Sequence, residues 1–321
     1  MVTSKKLSIQ SALNRLKGIT GFASTLCYHD DHRPTVFNRY DHINRVWWVN
    51  QSICKLFNAD PTQSNEIVVL HDLNRWPFAQ NLEKGYFNQA ENAEEYLMNL
   101  NADISQVVIE DVIMLHRKQL SGMRENAKYA FISDIITGFV EDPIMIISGL
   151  NVHPELIPSN IVEMLGLDFS NEGIISLREL CEVLNRNKDI NKFLSMFQTV
   201  FKKQFNKTIN RYVDKYDTAE KVFEAIFNDA SYVKSEFLKP VIFPINNEYV
   251  CHANWIQSNV MIKIINDLGY QEANRFLLSI DEAELLDFII RKNYVLESEI
   301  YNFYPDLDYS TRFESTIKSF L

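Results

Sequence analysis

The stretch Val68-Val69-Leu70-His71-Asp72-Leu73 indicates a helical fold that holds a metal ion, because it joins an apolar run to an adjacent histidine and aspartate. An imidazole nitrogen and a carboxylate oxygen together suit a divalent first-row metal. A second histidine, His42, lies 29 residues earlier, at the start of a segment whose apolar residues recur with helical spacing. If two antiparallel helices carry these residues, His42 and the His71-Asp72 pair converge at one point. The pattern therefore predicts a metal site between helices.

Composition and periodicity predict an all-α fold. The 321 residues are 46% hydrophobic and include only nine glycines and nine prolines, fewer than a doubly wound α/β protein normally needs for its turns. In the predicted helix at 41–57, one apolar face is traced by Ile43, Val46, Trp47, Val49, Ile53, Leu56 and Phe57. Further helices are predicted near 65–73, 90–100, 104–120 and 128–140, and in amphipathic segments after residue 176.

Proline and glycine spacing suggests how the chain is divided. Pro143, Pro154 and Pro158 interrupt the helical pattern, and we expect a domain boundary at 150–158. Residues 1–150 would then carry the metal site, and residues 151–321 would form a helical region that packs on it. A short hairpin is predicted within 241–251, around Asn246-Asn247.

Charge and cysteine content limit the partners and the location. The net charge of −10 disfavours nonspecific nucleic-acid binding, which usually needs a basic surface. The four cysteines are far apart and are expected to be reduced core thiols, which is typical of a cytoplasmic protein. No apolar run approaches the length of about 20 residues that a membrane helix needs.

The residues after the His-Asp pair add specificity, because such a pair alone is common by chance. They read Leu73-Asn74-Arg75-Trp76-Pro77-Phe78-Ala79-Gln80-Asn81-Leu82-Glu83, and Arg39-Tyr40-Asp41-His42 precedes them. This order resembles the HD-domain phosphohydrolases, nearest to the dGTP/dNTP triphosphohydrolases, over about residues 35–142. The resemblance implies an HD-domain helical bundle that hydrolyses a nucleotide, either a dNTP or a related phosphate ester, by attack of a metal-bound water.

The resemblance also implies that an aspartate on a later helix completes a metal set of His42, His71 and Asp72. Asp134, 62 residues after Asp72, is the predicted ligand, since it lies among apolar neighbours where an unpaired carboxylate would be costly. Asp111 is the alternative. The expected cofactor is a divalent ion, with Mn, Fe, Mg, Ni, Co and Zn all open.

The resemblance also implies which residues of this chain contact the substrate. The family arginine three residues before the first ligand histidine contacts phosphate, so Arg39 is expected to do so here, with Arg75 as a second cation. A salt bridge to Asp41 or Glu83 is the alternative role for Arg39.

The chain departs from the family where three histidines are expected, at Arg75, Gln80 and Gln89. We expect Gln80 and Gln89 to contact substrate, but glutamine cannot transfer protons near neutral pH. Glu83 would then position or activate water, together with Asp72. One alternative is a catalytically lapsed HD-domain protein that binds a nucleotide or regulates a partner, and another is a purely structural helical protein. A homo-oligomer is expected, as the family commonly assembles.

Overall fold

The structure is a computed structural model that describes residues 8–19, 38–79, 83, 85–149, 157–167, 179–180, 183 and 190–294. Every regular element in these ranges is a helix, so the predicted all-α fold is confirmed. Within them, no helix combines the length and the apolar character needed to cross a bilayer. The α-helices are α1 (Ile9–Arg15), α2 (Arg39–Leu56), α3 (Thr62–Leu70), α4 (Gln89–Met98), α5 (Gln106–His116), α6 (Glu125–Gly149), α7 (Ser159–Leu165), α8 (Ile190–Val213), α9 (Ala219–Leu268), α10 (Tyr270–Leu277) and α11 (Glu282–Arg291).

The helix before the His-Asp pair begins and ends three residues earlier than predicted. It covers Thr62–Leu70 with Pro61 as the N-cap residue, and the carboxylate of Asp60, one residue earlier, accepts hydrogen bonds from the N–H (3.0 Å) and the hydroxyl (2.7 Å) of Thr62. His71 is the C-cap residue, and Asp72 follows in the turn. Both residues therefore lie just beyond the helix, where their side chains are not confined to one of its faces.

Helix α2 buries most of the predicted apolar face. Trp47 and Leu56 are exposed, at 44% and 43%, and Phe57 is only half-buried and lies beyond the end of the helix. Trp47 lies about 100° around the helix from its neighbour Val46, and Leu56 is the last helical residue. The buried members of the face, none more than 4% exposed, are Ile43, Val46, Val49 and Ile53.

The hairpin predicted at 241–251 is wrong. Helix α9 runs from Ala219 to Leu268 and passes through that segment. Strand preference depends strongly on packing against a neighbouring sheet, and a lone two-stranded hairpin is marginal in water. The described part of the chain offers no sheet for such a hairpin to join.

The chain forms two compact units that interleave in sequence. The first comprises residues 1–40, 73–102 and 246–321, and the second comprises residues 41–72 and 103–245. The boundary predicted at 150–158 falls largely on residues 150–156, which lie outside the described residues. The division into 1–150 and 151–321 therefore stays a prediction.

In the second unit, a buried polar network connects three helices. Asn50 of α2 donates hydrogen bonds to Ser64 Oγ and Asn65 Oδ1, both at 2.8 Å, and the hydroxyl of Ser133 on α6 donates to Asn50 Oδ1 at 3.3 Å. Asn50, Ser64 and Ser133 are fully buried. Helix α6 also packs against α3, α5 and α8. The network therefore sets the register of α2, α3 and α6.

Replacing Asn50 with alanine is expected to lower the free energy of unfolding by about 2–3 kcal/mol, because several buried polar groups lose a partner at once. Urea unfolding followed by circular dichroism measures the change. Asn210 is a matched control, since it is exposed on α8 and its replacement by alanine is expected to change stability by no more than about 0.5 kcal/mol. Equal losses in the two variants would show that the network contributes nothing.

A row of buried phenylalanines packs α8 against α2. The rings of Phe201 and Phe205 meet the ring of Trp48 edge-on, with centroids 6.2 and 5.1 Å apart. Such tilted aromatic pairs are favourable beyond the area that they bury. The phenylalanines recur every fourth residue and so share one helix face: Phe193, Phe197, Phe201 and Phe205.

The first unit has a core of its own around Trp76. This side chain is fully buried, its indole N–H donates to Asn274 Oδ1 at 3.0 Å, and its ring centroid lies 4.7 Å from that of Phe87. Arg15 holds the chain just before it, by donating to the carbonyl of Leu73 at 2.8 Å. The same cluster includes Met261, Ile264, Leu277, Leu285 and Ile289.

Candidate metal centre

Three of the predicted ligand residues lie together in the second unit. The metal-binding atoms of His42, His71 and Asp134 are all within 4.8 Å of one another. Oδ1 of Asp134 is 3.0 Å from Nε2 of His42 and 3.7 Å from Nε2 of His71. Both histidines are buried, whereas the Asp134 side chain is 27% exposed. The group can hold a metal ion, and the aspartate is the member that solvent reaches most.

Each ligand comes from a different helix of the packed set. His42 lies near the start of α2, His71 caps the end of α3, and Asp134 lies within α6. Ser133, the neighbour of Asp134, belongs to the buried network that connects these helices. The sequence predicts that the segments carrying His42, His71 and Asp134 converge, and the three residues do meet.

The ring of His71 is oriented by its own helix. Its Nδ1 lies 2.7 Å from the carbonyl oxygen of Val68. A carbonyl only accepts hydrogen bonds, so Nδ1 carries a proton and donates it. In the neutral imidazole this leaves the lone pair on Nε2, the atom that faces Asp134. Metal-ligating histidines are commonly fixed by a backbone carbonyl in this way.

The ring of His42 is oriented by a carboxylate. Its Nδ1 lies 3.4 Å from Oε2 of Glu141, and the same oxygen accepts a hydrogen bond from Nε of Arg45 at 2.7 Å. Glu141 and Arg45 are 3% and 2% exposed. A carboxylate behind a histidine whose other nitrogen faces the ligand group is the arrangement of a carboxylate–histidine–metal triad.

The charges in the group depend on one another. Burial alone would lower the pKa of the imidazoles and raise that of the carboxyl groups. The neighbouring carboxylates outweigh this effect, because Glu141 and Asp134 raise the pKa of His42 to about 9, and Asp72 and Asp134 raise the pKa of His71. The histidines in turn hold the pKa of Asp134 well below its usual range, although desolvation opposes the shift. The imidazoles and the carboxylates therefore stabilise each other's charged forms, and a divalent cation between them would supply the same positive charge.

The other two carboxylates considered as ligands lie in different settings. Asp72 is 1% exposed, and its Oδ2 is 3.6 Å from Nε2 of His71, so it borders the group. Asp111 is also 1% exposed, but its Oδ1 accepts a hydrogen bond from Nε of Arg124 at 2.7 Å. The structure thus places Asp134 with the histidines and Asp111 in an ion pair with Arg124.

Arg75 and Glu83 bind each other in the first unit. Nη1 of Arg75 donates to Oε2 of Glu83 at 2.6 Å, and the N–H of Trp76 donates to Oε1 at 3.0 Å. Burial raises the pKa of Glu83, although Arg75 and the Trp76 N–H oppose the shift. In the same turn, Phe78 has a φ of 50°, uncommon for an aromatic residue, and its N–H donates to Glu282 at 2.9 Å. These contacts give Glu83 a structural role in closing the turn.

The remaining predicted substrate residues are Arg39, Gln80 and Gln89. Arg39 is buried in the first turn of α2, three residues before His42. Gln89 begins α4, where its side-chain amide donates to Asn74 Oδ1 at 3.2 Å and its carbonyl accepts from Asn74 Nδ2 at 3.0 Å. Gln80 lies outside the described residues.

No protein-family model matches the chain, and no curated protein matches it significantly. The evidence for a metal centre in this chain is the geometry of His42, His71 and Asp134.

Glu141 and Arg45 were missed by the sequence reasoning, although each carries a spacing signal. Arg45 follows His42 by three residues on α2, and Glu141 follows Asp134 by seven residues on α6. Both spacings place a residue on the same helix face as a ligand. The face of α6 that carries Asp134 also carries the acidic residue, and the face of α2 that carries His42 also carries its basic partner, so both could have been identified from the sequence.

Proposed function

We propose that this chain is a metal-dependent phosphohydrolase of the HD-domain kind, acting on a nucleotide such as a dNTP or on a related phosphate ester. The observation that carries the proposal is the group of His42, His71 and Asp134. Its members come from the three separate segments that the resemblance assigns to the metal set, and they meet with their ligand atoms together. Three protein ligands leave positions on a divalent ion for water and substrate, and a fourth still leaves two on a six-coordinate ion.

The chemistry of the donors favours particular ions. Two imidazole nitrogens and one carboxylate oxygen suit Mn²⁺, Fe²⁺, Co²⁺, Ni²⁺ or Zn²⁺ better than Mg²⁺, which prefers oxygen ligands. When bound, such an ion lowers the pKa of a coordinated water and polarises a phosphoryl oxygen. His42 and His71 would hold the ion through Nε2, Asp134 through its carboxylate, and Asp72 is proposed to join them.

We assign the binding of phosphate and the positioning of water to residues of the chain itself. Arg39 would bind a phosphate oxygen, because a guanidinium offers paired donors to an anion. Arg75 would add a second cation, and Glu83 would position water. Since Arg75 and Glu83 are hydrogen-bonded to each other at 2.6 Å, they can serve a substrate only by exchanging that contact for a new one.

One observation favours a second function, in which the metal site binds a nucleotide without cleaving it. The side chain of Gln89, at a position where the family has a histidine, is already held by Asn74, and Glu83 is held by Arg75 and Trp76. A missing general acid or base lowers a rate by about 10²–10⁴-fold. In this alternative the protein is a nucleotide sensor or the regulator of a partner.

Metal content and product analysis together test the proposal. The purified protein is analysed for metals by mass spectrometry and then incubated with Mn²⁺ and a panel of dNTPs, NTPs and nucleoside monophosphates. We expect bound metal and slow release of a phosphate product, both lost in a His71→Ala variant. Bound metal without any product supports the second function instead. A chain that takes up no divalent ion even with Mn²⁺ added contradicts both.

A further inference from the structure

Behind His42 lies a chain of contacts that reaches the second half of the sequence. The carboxylate of Glu141 faces the Nδ1 of His42, Arg45 donates to that carboxylate, and the guanidinium of Arg45 lies over the ring of Phe197, 5.1 Å from its centroid. All four residues belong to the second unit and are buried. The contacts therefore connect α8 to a metal-ligand candidate through two charged groups.

Burying the charges of Glu141 and Arg45 costs free energy, because both groups lose their hydration. Glu141 and Arg45 have side chains only 4% and 2% exposed, and removing two such charges from water carries a large desolvation penalty. The ion pair at 2.7 Å and the aromatic ring beside Arg45 offset part of that penalty. Replacement of such a pair by apolar residues is often neutral or stabilising, so stability alone explains it poorly.

The contacts of Glu141 indicate that it orients the ring of His42. Oε2 of Glu141 is shared by Arg45 and by Nδ1 of His42, and the opposite nitrogen of His42 faces Asp134. A carboxylate that accepts the Nδ1 proton fixes both the tautomer and the orientation of the ring and makes the imidazole a better ligand. Arg45 donates a hydrogen bond to the same oxygen and so holds the carboxylate in place.

We propose that Glu141 is a positioning residue for the metal centre, which holds His42 with Nε2 toward the ion, and that Arg45, supported by Phe197, holds Glu141. The inference rests on the metal-binding part of the proposed function and does not require hydrolysis. It gives the segment 190–205, in which the sequence shows no motif, a role in supporting the metal site.

The structure supplies a matched control pair. Arg124 donates to Asp111 from the same nitrogen, Nε, at the same distance of 2.7 Å, and the Asp111 side chain is 1% exposed. Asp111 is not part of the group that can hold a metal. Glu141→Gln and Asp111→Asn therefore each neutralise a buried carboxylate paired with an arginine, but only the first removes a contact to a candidate ligand.

Titration calorimetry with Mn²⁺ on the full-length chain tests the inference. We expect Glu141→Gln to raise the Kd for Mn²⁺ by about 10–100-fold, while Asp111→Asn leaves the Kd unchanged even if both variants lose thermal stability. In a His42→Ala background, adding Glu141→Gln is expected to weaken binding no further, because the residue that it orients is gone. Equal Kd values for wild type and Glu141→Gln, or an undiminished effect in the His42→Ala background, would overturn the inference.

The same experiments also give a clear result if the Glu141→Gln variant does not fold or if the protein binds Mn²⁺ without hydrolysing a nucleotide. Should Glu141→Gln fail to fold, Glu141→Asp keeps the charge beside Arg45 but withdraws the oxygen from His42, and it is still expected to weaken Mn²⁺ binding. Wild-type protein that binds Mn²⁺ without turning over any nucleotide contradicts only the proposed hydrolase, and the Kd ratio still decides the role of Glu141. Wild-type protein that binds no Mn²⁺ overturns both.

Discussion

Replacing Asp134 with asparagine is expected to weaken Mn²⁺ binding by about 10²–10³-fold and to abolish any hydrolysis that depends on the ion. Loss of a residue behind a metal ligand typically lowers metal affinity by about 10–100-fold, and a carboxylate that contacts the ion itself is expected to contribute about 10-fold more. Asparagine keeps the shape of the side chain, so the change isolates the negative charge that faces both histidines. Calorimetric titration with Mn²⁺ measures the affinity.

Asp111→Asn is the control for this experiment as well. Both substitutions remove a carboxylate from the second unit, and the Asp111 side chain is the more buried of the two, at 1% against 27% exposed. If general loss of structure caused weak binding, Asp111→Asn would weaken it at least as much. Retained Mn²⁺ affinity in Asp134→Asn would show that the histidines and Asp134 do not form a metal centre.

Asp134 and Asp111 also show how far the sequence could predict the site. Both lie among apolar helical residues, and the cost of burying a bare carboxylate predicts that each has a partner. Both have partners: Asp134 faces two histidines, and Asp111 faces Arg124. Which partner each has depends on how α6 and α5 pack, and local spacing does not contain that information.

Helical periodicity predicted the helices better than residue type did. Val46 and Ile53 are buried as their spacing requires, whereas Trp47, assigned to the same face because it is apolar, is 44% exposed. The same weakness explains the hairpin expected at 241–251, which was based on residue preference and turn residues. Local preferences are weak relative to tertiary packing, and a period repeated over several turns is the more reliable signal.

The segment from Leu73 to Glu83 shows why a phrase that resembles a family is weaker evidence than geometry. Its most specific residues make structural contacts: Trp76 lies in the core of the first unit, and Arg75 binds Glu83. The ligand residues, by contrast, lie in the second unit. From sequence alone, a residue that closes a turn and a residue that binds a substrate look the same.

Replacing Trp76 with alanine is expected to lower the free energy of unfolding by about 3–5 kcal/mol, a large part of the stability of a typical domain. The substitution removes a fully buried indole, leaves a cavity beside Phe87, and deprives Asn274 of the N–H that its carbonyl oxygen accepts. Urea unfolding followed by far-ultraviolet circular dichroism measures the change without relying on tryptophan fluorescence.

Trp47 provides the matched comparison, because the same Trp→Ala change there removes a side chain that is already 44% exposed. We expect Trp47→Ala to cost less than about 1 kcal/mol. A Trp76→Phe variant keeps most of the apolar volume but loses the hydrogen bond to Asn274, so it is expected to fall between wild type and Trp76→Ala. If Trp76→Ala were as stable as Trp47→Ala, the segment 73–83 would not be a structural element of the first unit. Its residues would then be available for the substrate contacts that the resemblance implies.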